Sequence, residues 1–128
     1  MPTRPPYATL LRDLSPKANP MTEQVIIGLS TCPDDVTARH LAHTLVTERL
    51  ATCVNRLSGV TSTYFWDGRL QDDAEILLII KTTAARQAEL EARLKALHPY
   101  QVPEVLFLPV TGGNAAYLEW VRSGVGKV

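Results

Sequence analysis

The Asp67-Gly68 dipeptide, set between two long runs of β-forming residues, constrains this chain more than any other feature. A tight type I′ hairpin needs two positive φ values, and Asp-Gly is one of the few pairs that supply them. Upstream lie Cys53-Val54-Asn55-Arg56-Leu57, then Ser58-Gly59, then Val60-Thr61-Ser62-Thr63-Tyr64-Phe65-Trp66, rich in β-branched and aromatic residues. Gly59 inside this stretch predicts a bulge or bend. The return strand runs from about Arg69 to Thr82. Its start, Gln71-Asp72-Asp73, reads as wet; its centre, Ile76 to Ile80, reads as buried on both faces. Each arm holds about 13 residues, or about 43 Å at ~3.3 Å per residue. A helix of 15 residues covers only about 23 Å, so the outer half of the hairpin is left bare. Two-stranded ribbons are marginal in water, and exposed apolar edges invite pairing. The arm lengths therefore predict self-association.

The remaining elements follow from periodicity. Val25-Ile26-Ile27-Gly28-Leu29 is a continuous apolar run and reads as a strand buried on both faces, ending at Cys32-Pro33. Asp34 is placed to cap a helix over Val36–Leu50, whose apolar stripe is Ala38, Leu41, Ala42, Leu45, Val46 and Leu50. Ala84 to His98 is a second helix with Leu90, Leu94 and Leu97 inward, stopped by Pro99. Val105-Leu106-Phe107-Leu108 is a last strand, and Asn114 can cap a short helix carrying Tyr117, Leu118, Trp120 and Val121. The order β-α-β-β-α-β with a C-terminal helix predicts an α+β, ferredoxin-like domain.

That domain spans 21–128; residues 1–20 hold five of the nine prolines and read as an N-terminal extension. No apolar run approaches the ~20 residues of a membrane span. Lys+Arg and Asp+Glu are 13 each in the whole chain, and residues 21–128 carry 10 basic against 12 acidic side chains. The body therefore has no electrostatic attraction for phosphate backbones, and no membrane or nucleic-acid partner is expected. Cys32 and Cys53 are the only cysteines. They fall at opposite ends of two parallel strands, about 17–20 Å apart. A disulfide needs Cα atoms within about 7 Å, so two reduced thiols and a cytoplasmic setting are expected.

Five segments, in order, resemble the CutA divalent-cation tolerance family. They are Leu50-Ala51-Thr52-Cys53-Val54-Asn55, Thr61 to Gly68, Glu75 through Lys81-Thr82-Thr83, His98-Pro99-Tyr100-Gln101-Val102-Pro103-Glu104, and Tyr117-Leu118-Glu119-Trp120. The likeness covers about residues 24–122. It implies a homotrimer with hairpin strands shared between neighbours. It also implies a non-enzymatic role in tolerance of divalent ions, copper above all, with copper or another divalent cation as the bound species. A likeness of such trimers to PII-type signalling proteins implies the alternative, a small-ligand sensor using clefts between subunits. The copper ligands proposed for the family are a cysteine ending the first strand and a His-His pair before Pro-Tyr. Here Ser30 stands at the cysteine position, Cys32 comes two residues later, and Leu97-His98 replaces the pair.

The candidate metal residues are accordingly Cys53, a soft ligand for Cu(I), and His98. His98 also suits a helix C-terminus as a carbonyl cap in its imidazolium form. A cysteine hydrolase built on the same two residues lacks any visible third group. His40 and His43 read as solvated. Asn55, Glu75, Lys81, Tyr100 and Glu104 are the candidate ligand-cleft residues. Lys81 follows five apolar strand residues and needs a partner, for which Glu75 and Glu104 are the candidates.

Overall fold

A computed structural model describes residues 23–126; the Pro-rich extension expected over 1–20 lies outside them. The elements are β1 (Val25–Cys32), α1 (Asp35–Thr47), β2 (Cys53–Trp66), β3 (Arg69–Thr83), α2 (Gln87–Leu97, entered by a 3₁₀ turn at Ala84–Arg86), β4 (Leu106–Pro109) and α3 (Ala115–Ser123). The sheet order is β2-β3-β1-β4 with every neighbour antiparallel. This is the ferredoxin-like arrangement expected from the sequence.

The hairpin turns where Asp-Gly demands it, with φ of +51° at Asp67 and +74° at Gly68. The register slips between Leu57 and Val60, and Gly59 takes φ +85°, so the glycine marks a bulge. Among the described residues, no helix covers the ribbon beyond the bulge. Phe65 and Leu70 stand 73% and 62% exposed near its tip.

Helices α1 and α2 lie on one face of the sheet. Leu41 and Leu45 from α1 and Leu90 and Leu94 from α2 close over Leu78 and Ile80 of β3 and Cys32 of β1, all fully or nearly fully buried. Gly28 leaves room at this level: a Cβ there would sit 3.2 Å from the Phe107 ring, so the ring would have to give by a few tenths of an ångström. Asp34 caps α1, its Oδ1 accepting from the Thr37 N–H at 2.8 Å, and that donor holds its carboxyl below the ordinary 3.8. A depressed carboxyl adds stability above its unfolded pKa and loses it as pH falls through the folded one. Urea midpoints should therefore drop below about pH 4, and Asp34→Ala should remove that part of the drop while leaving the neutral-pH fold intact.

The expectation of burial on both faces needs correction. Alternation along β3 sends Leu78, Ile80 and Thr82 to the helices and Leu77, Ile79 and Lys81 to the opposite face, where no helix among the described residues lies over the sheet centre. Ile27 and Leu29 of β1 share that second face. Within one chain these residues are only half-buried, and Leu57, Leu106 and Leu108 beside them are exposed.

Helix α3 closes the end of the sheet where β1 begins. Asn114 caps it through the Ala116 and Tyr117 N–H groups. Thr52 Oγ1 donates to the Val121 carbonyl at 2.5 Å, and a Cβ on Gly124 would meet Thr52 Cγ2 and Oγ1 at 2.5 and 2.6 Å. Gly124→Ala should therefore push Thr52 off α3 and cost about 1–3 kcal/mol, read as a lowered urea midpoint with α3 amides exchanging faster.

Candidate functional site

A cleft of about 800 Å³ lies between the outer hairpin and the loop after α2. Its lining includes Tyr64, Trp66, Asp73, Glu75, Tyr100 and Glu104. Two phenols bind two carboxylates in its lining, one from the loop to β3 and one within the hairpin. Tyr100 Oη donates to Glu75 Oε2 at 2.8 Å, and Tyr64 Oη donates to Asp73 Oδ2. Each arrangement favours the neutral phenol. The Tyr100 hydroxyl is pushed up by burial and then by Glu75, the Tyr64 hydroxyl first by its bond to Asp73. Nearby, Thr63 Oγ1 donates to Asp72 Oδ1 at 2.5 Å on the rim of the ribbon.

His98 fixes the loop wall of this cleft. It is 7% exposed. The Tyr100 backbone N–H donates to Nδ1 at 3.1 Å, so the proton sits on Nε2, which donates to the Thr31 carbonyl at 2.7 Å. The ring thus clamps the loop onto the end of β1, and the Tyr100 ring stacks at a tilt 4.7 Å from it. This corrects the expected imidazolium cap. An Nδ1–H would face the Tyr100 N–H donor head-on, while the helix end is closed by the His98 backbone N–H to the Leu94 carbonyl.

The expected five cleft residues divide into two groups. Glu75, Tyr100 and Glu104 line the cleft together. Lys81 and Asn55 do not. Lys81 Nζ donates to Asn55 Oδ1 and lies 3.9 Å from Cys53 Sγ, on the helix-free face. Glu75 and Lys81 share that side of β3 but stand six positions apart, about 20 Å. The expected Lys81–Glu75 ion pair is therefore out of reach within a chain. Lys81 answers its need for a partner with an amide oxygen.

The candidate metal residues are also apart. Cys53 pairs with Lys81, whereas His98 is bonded to Thr31, opposite Leu77. Four positions of β3 separate these levels, about 13 Å. The same distance removes the Cys53–His98 hydrolase arrangement within one chain. Among the described residues, no three His, Cys, Asp or Glu side chains converge as a metal cluster. Cys32 and Cys53 are both free thiols, at levels five positions apart on β3, about 17 Å. Burial, then Asp34 and Glu75, push the Cys32 thiol up to about 12. Cys32 should therefore resist iodoacetamide at neutral pH in the native protein and react only after unfolding, a difference peptide mass mapping reads directly.

Asp73, Tyr64 and Trp66 were not singled out as cleft residues by sequence reasoning. The signal was present: in an antiparallel hairpin with Asp67-Gly68 at its tip, Tyr64 falls two positions from Asp73 across the strands.

The geometry agrees with comparisons to known proteins. The family model for the CutA1 divalent ion tolerance protein matches residues 26–124. The divalent-cation tolerance protein CutA of Thermus thermophilus is 48% identical over 106 residues, covering 83% of this chain and 100% of that protein. The crystal structure of CutA1 from Oryza sativa superposes with a TM-score of 0.80 at 42% identity, over 84% of this chain and 99% of that one. A structure from Archaeoglobus fulgidus, named a periplasmic divalent cation tolerance protein CutA, gives 0.77 at 28% identity, over 80% and 99%. With a family match across nearly the whole described body and a relative 48% identical over its full length, this chain belongs to the CutA1 divalent ion tolerance family.

Proposed function

We propose that this chain acts without catalysis, as a cytoplasmic homotrimer, in the response to divalent metal ions and copper above all. The observation that carries the reading is the helix-free sheet face. Ile27, Leu29, Leu57, Leu77, Ile79, Leu106 and Leu108 make one apolar surface across all four strands. A single chain leaves that surface wet, and burial against like faces removes the cost. The two free thiols support a reducing compartment.

Cys53 carries the copper side of the proposal. It sits half-buried on the apolar face with a thiol suited to Cu(I). His98 stands about 13 Å from it within the chain, held by Thr31 and Tyr100. Sedimentation of the purified protein should give three times the chain mass. Calorimetric titration with Cu(I) and Cu(II) should show binding that Cys53→Ser removes. Binding no tighter than a chelating buffer would count against direct metal handling.

A second reading is favoured by the cleft. Its volume is of small-molecule size, and it joins aromatic walls to a few fixed polar groups. A regulatory module of this kind would be stabilised by its ligand through mass action. A thermal-shift screen of metabolites, nucleotides included, should yield at least one stabilising compound that Tyr100→Phe weakens.

A further inference from the structure

Side chains tie the outer hairpin to the body at one point. Strand β1 accompanies β3 only as far as Cys32 opposite Ile76, so residues 60–75 form a ribbon of two strands, with Val60 and Glu75 as its innermost pair. At that root β2 takes three steps from Leu57 to Val60 while β3 takes two from Leu77 to Glu75, and Gly59 carries the slip at φ +85°. Such a bulge leaves one residue outside the ladder and bends the strand. The cleft parts the ribbon from the loop after α2. From that loop Tyr100 Oη donates to Glu75 Oε2 at 2.8 Å. Among the described residues this is the one side-chain hydrogen bond joining the ribbon to the rest of the chain. The other two that the ribbon makes, Thr63 to Asp72 and Tyr64 to Asp73, close within it.

Both ends of the tie are held. Glu75 is 8% exposed. The Tyr100 N–H is on the His98 ring, which is bonded in turn to Thr31 of β1. Burial and then Glu75 push the Tyr100 hydroxyl up, so it stays a donor at neutral pH. From Glu75 to Arg69 the ribbon runs six further positions, about 20 Å. A swing of about 10° at the root moves its tip about 3.5 Å, close to the whole reach of an apolar contact. The exposed Phe65 and Leu70 at that tip can therefore meet a neighbour only where the angle is held. We propose that the Tyr100–Glu75 bond is a latch: with Gly59 as the hinge, it fixes the ribbon's angle in the separate chain and so prepares it to join a neighbouring copy. This rests on the trimer reading above and deepens it. A latched chain meets its neighbours in the competent shape, whereas an unlatched one associates in proportion to the fraction that holds that shape.

Assembly kinetics test the latch. The full chain is unfolded in urea and diluted into buffer at several protein concentrations. Circular dichroism follows the folding of the chain, and glutaraldehyde capture follows the trimer. Tyr100→Phe should fold at the parent rate and assemble roughly fivefold more slowly, the share of competent chains lost with one net hydrogen bond. Glu75→Leu, which keeps an apolar body but no acceptor, should match it. Glu75→Gln keeps an oxygen that accepts from Tyr100 and should assemble close to the parent rate. Should Tyr100→Phe fail to fold, the two Glu75 variants read the same latch by themselves. Folding slowed as much as assembly overturns the proposal, because Tyr100 would then serve folding in general. Glu75→Gln as slow as Glu75→Leu also overturns it, because the carboxylate's charge would then be what assembly needs. A trimeric parent with Tyr100→Phe assembling at the parent rate sinks this inference alone. A parent that sediments as single chains sinks the trimer reading and the latch with it.

Discussion

Ile79→Asp is expected to convert the proposed trimer into separate chains at micromolar concentration. Ile79 lies mid-strand on the helix-free face, paired across the sheet with Leu29 on one side and Asn55 on the other. Association would take its side chain out of water among Ile27, Leu77 and their counterparts on neighbouring chains. The nearest cation, Lys81, already donates to Asn55, the cross-strand partner of position 79. Taking the carboxylate out of water costs several kcal/mol per chain even with that ammonium beside it, and a closed trimer meets that penalty at every interface. In the isolated chain Ile79 is only half-buried, so the helix-side core of Leu41, Leu78, Leu90 and Leu94 stays closed. Sedimentation velocity should then show one-third of the parent mass with native-like circular dichroism, and a lower melting temperature. His40→Asp, on the exposed side of α1, should change neither. Unchanged mass in Ile79→Asp would remove the sheet face from the interface.

This prediction also marks how far the sequence could be read. The Asp67-Gly68 turn, the Gly59 bulge and the caps at Asp34 and Asn114 were legible because each depends on a local backbone need that few residue types meet. The sheet order followed from element order and connection rules. Burial was misread at Leu77 and Ile79, since an unbroken apolar strand carries the same pattern whether its second face meets a helix or another chain. The site was legible in part. Glu75, Tyr100 and Glu104 converge because β3 and the loop after α2 meet at one end of the sheet. Lys81 and Asn55 carry equally suggestive chemistry but sit at the other end. Distance along a strand decides this, and motif spacing does not report it until register is known. The neutral state of His98 was equally hidden, for it depends on an N–H two residues downstream turning back onto the ring.

The second large effect is expected at that ring. His98→Leu keeps most of the apolar volume but removes both hydrogen bonds. The Thr31 carbonyl and the Tyr100 N–H, each within a largely buried junction, lose their partner. Each orphaned buried group costs about 1–3 kcal/mol, so a loss of about 2–4 kcal/mol is expected in the urea unfolding free energy. The consequences are not spread evenly. Tyr100 reaches Glu75 only because its backbone is pinned two residues from the ring. Freed from β1, the loop from Pro99 to Glu104 should lose amide protection ahead of the rest of the sheet, and cleft binding should fall with it. His98→Gln offers an amide that can donate to Thr31 and accept from Tyr100, and should recover part of both losses. A purely apolar packing role for His98 would reverse that ranking, with Leu the milder change. A metal-ligand role would instead make the parent protein, and neither variant, lose stability on addition of a chelator.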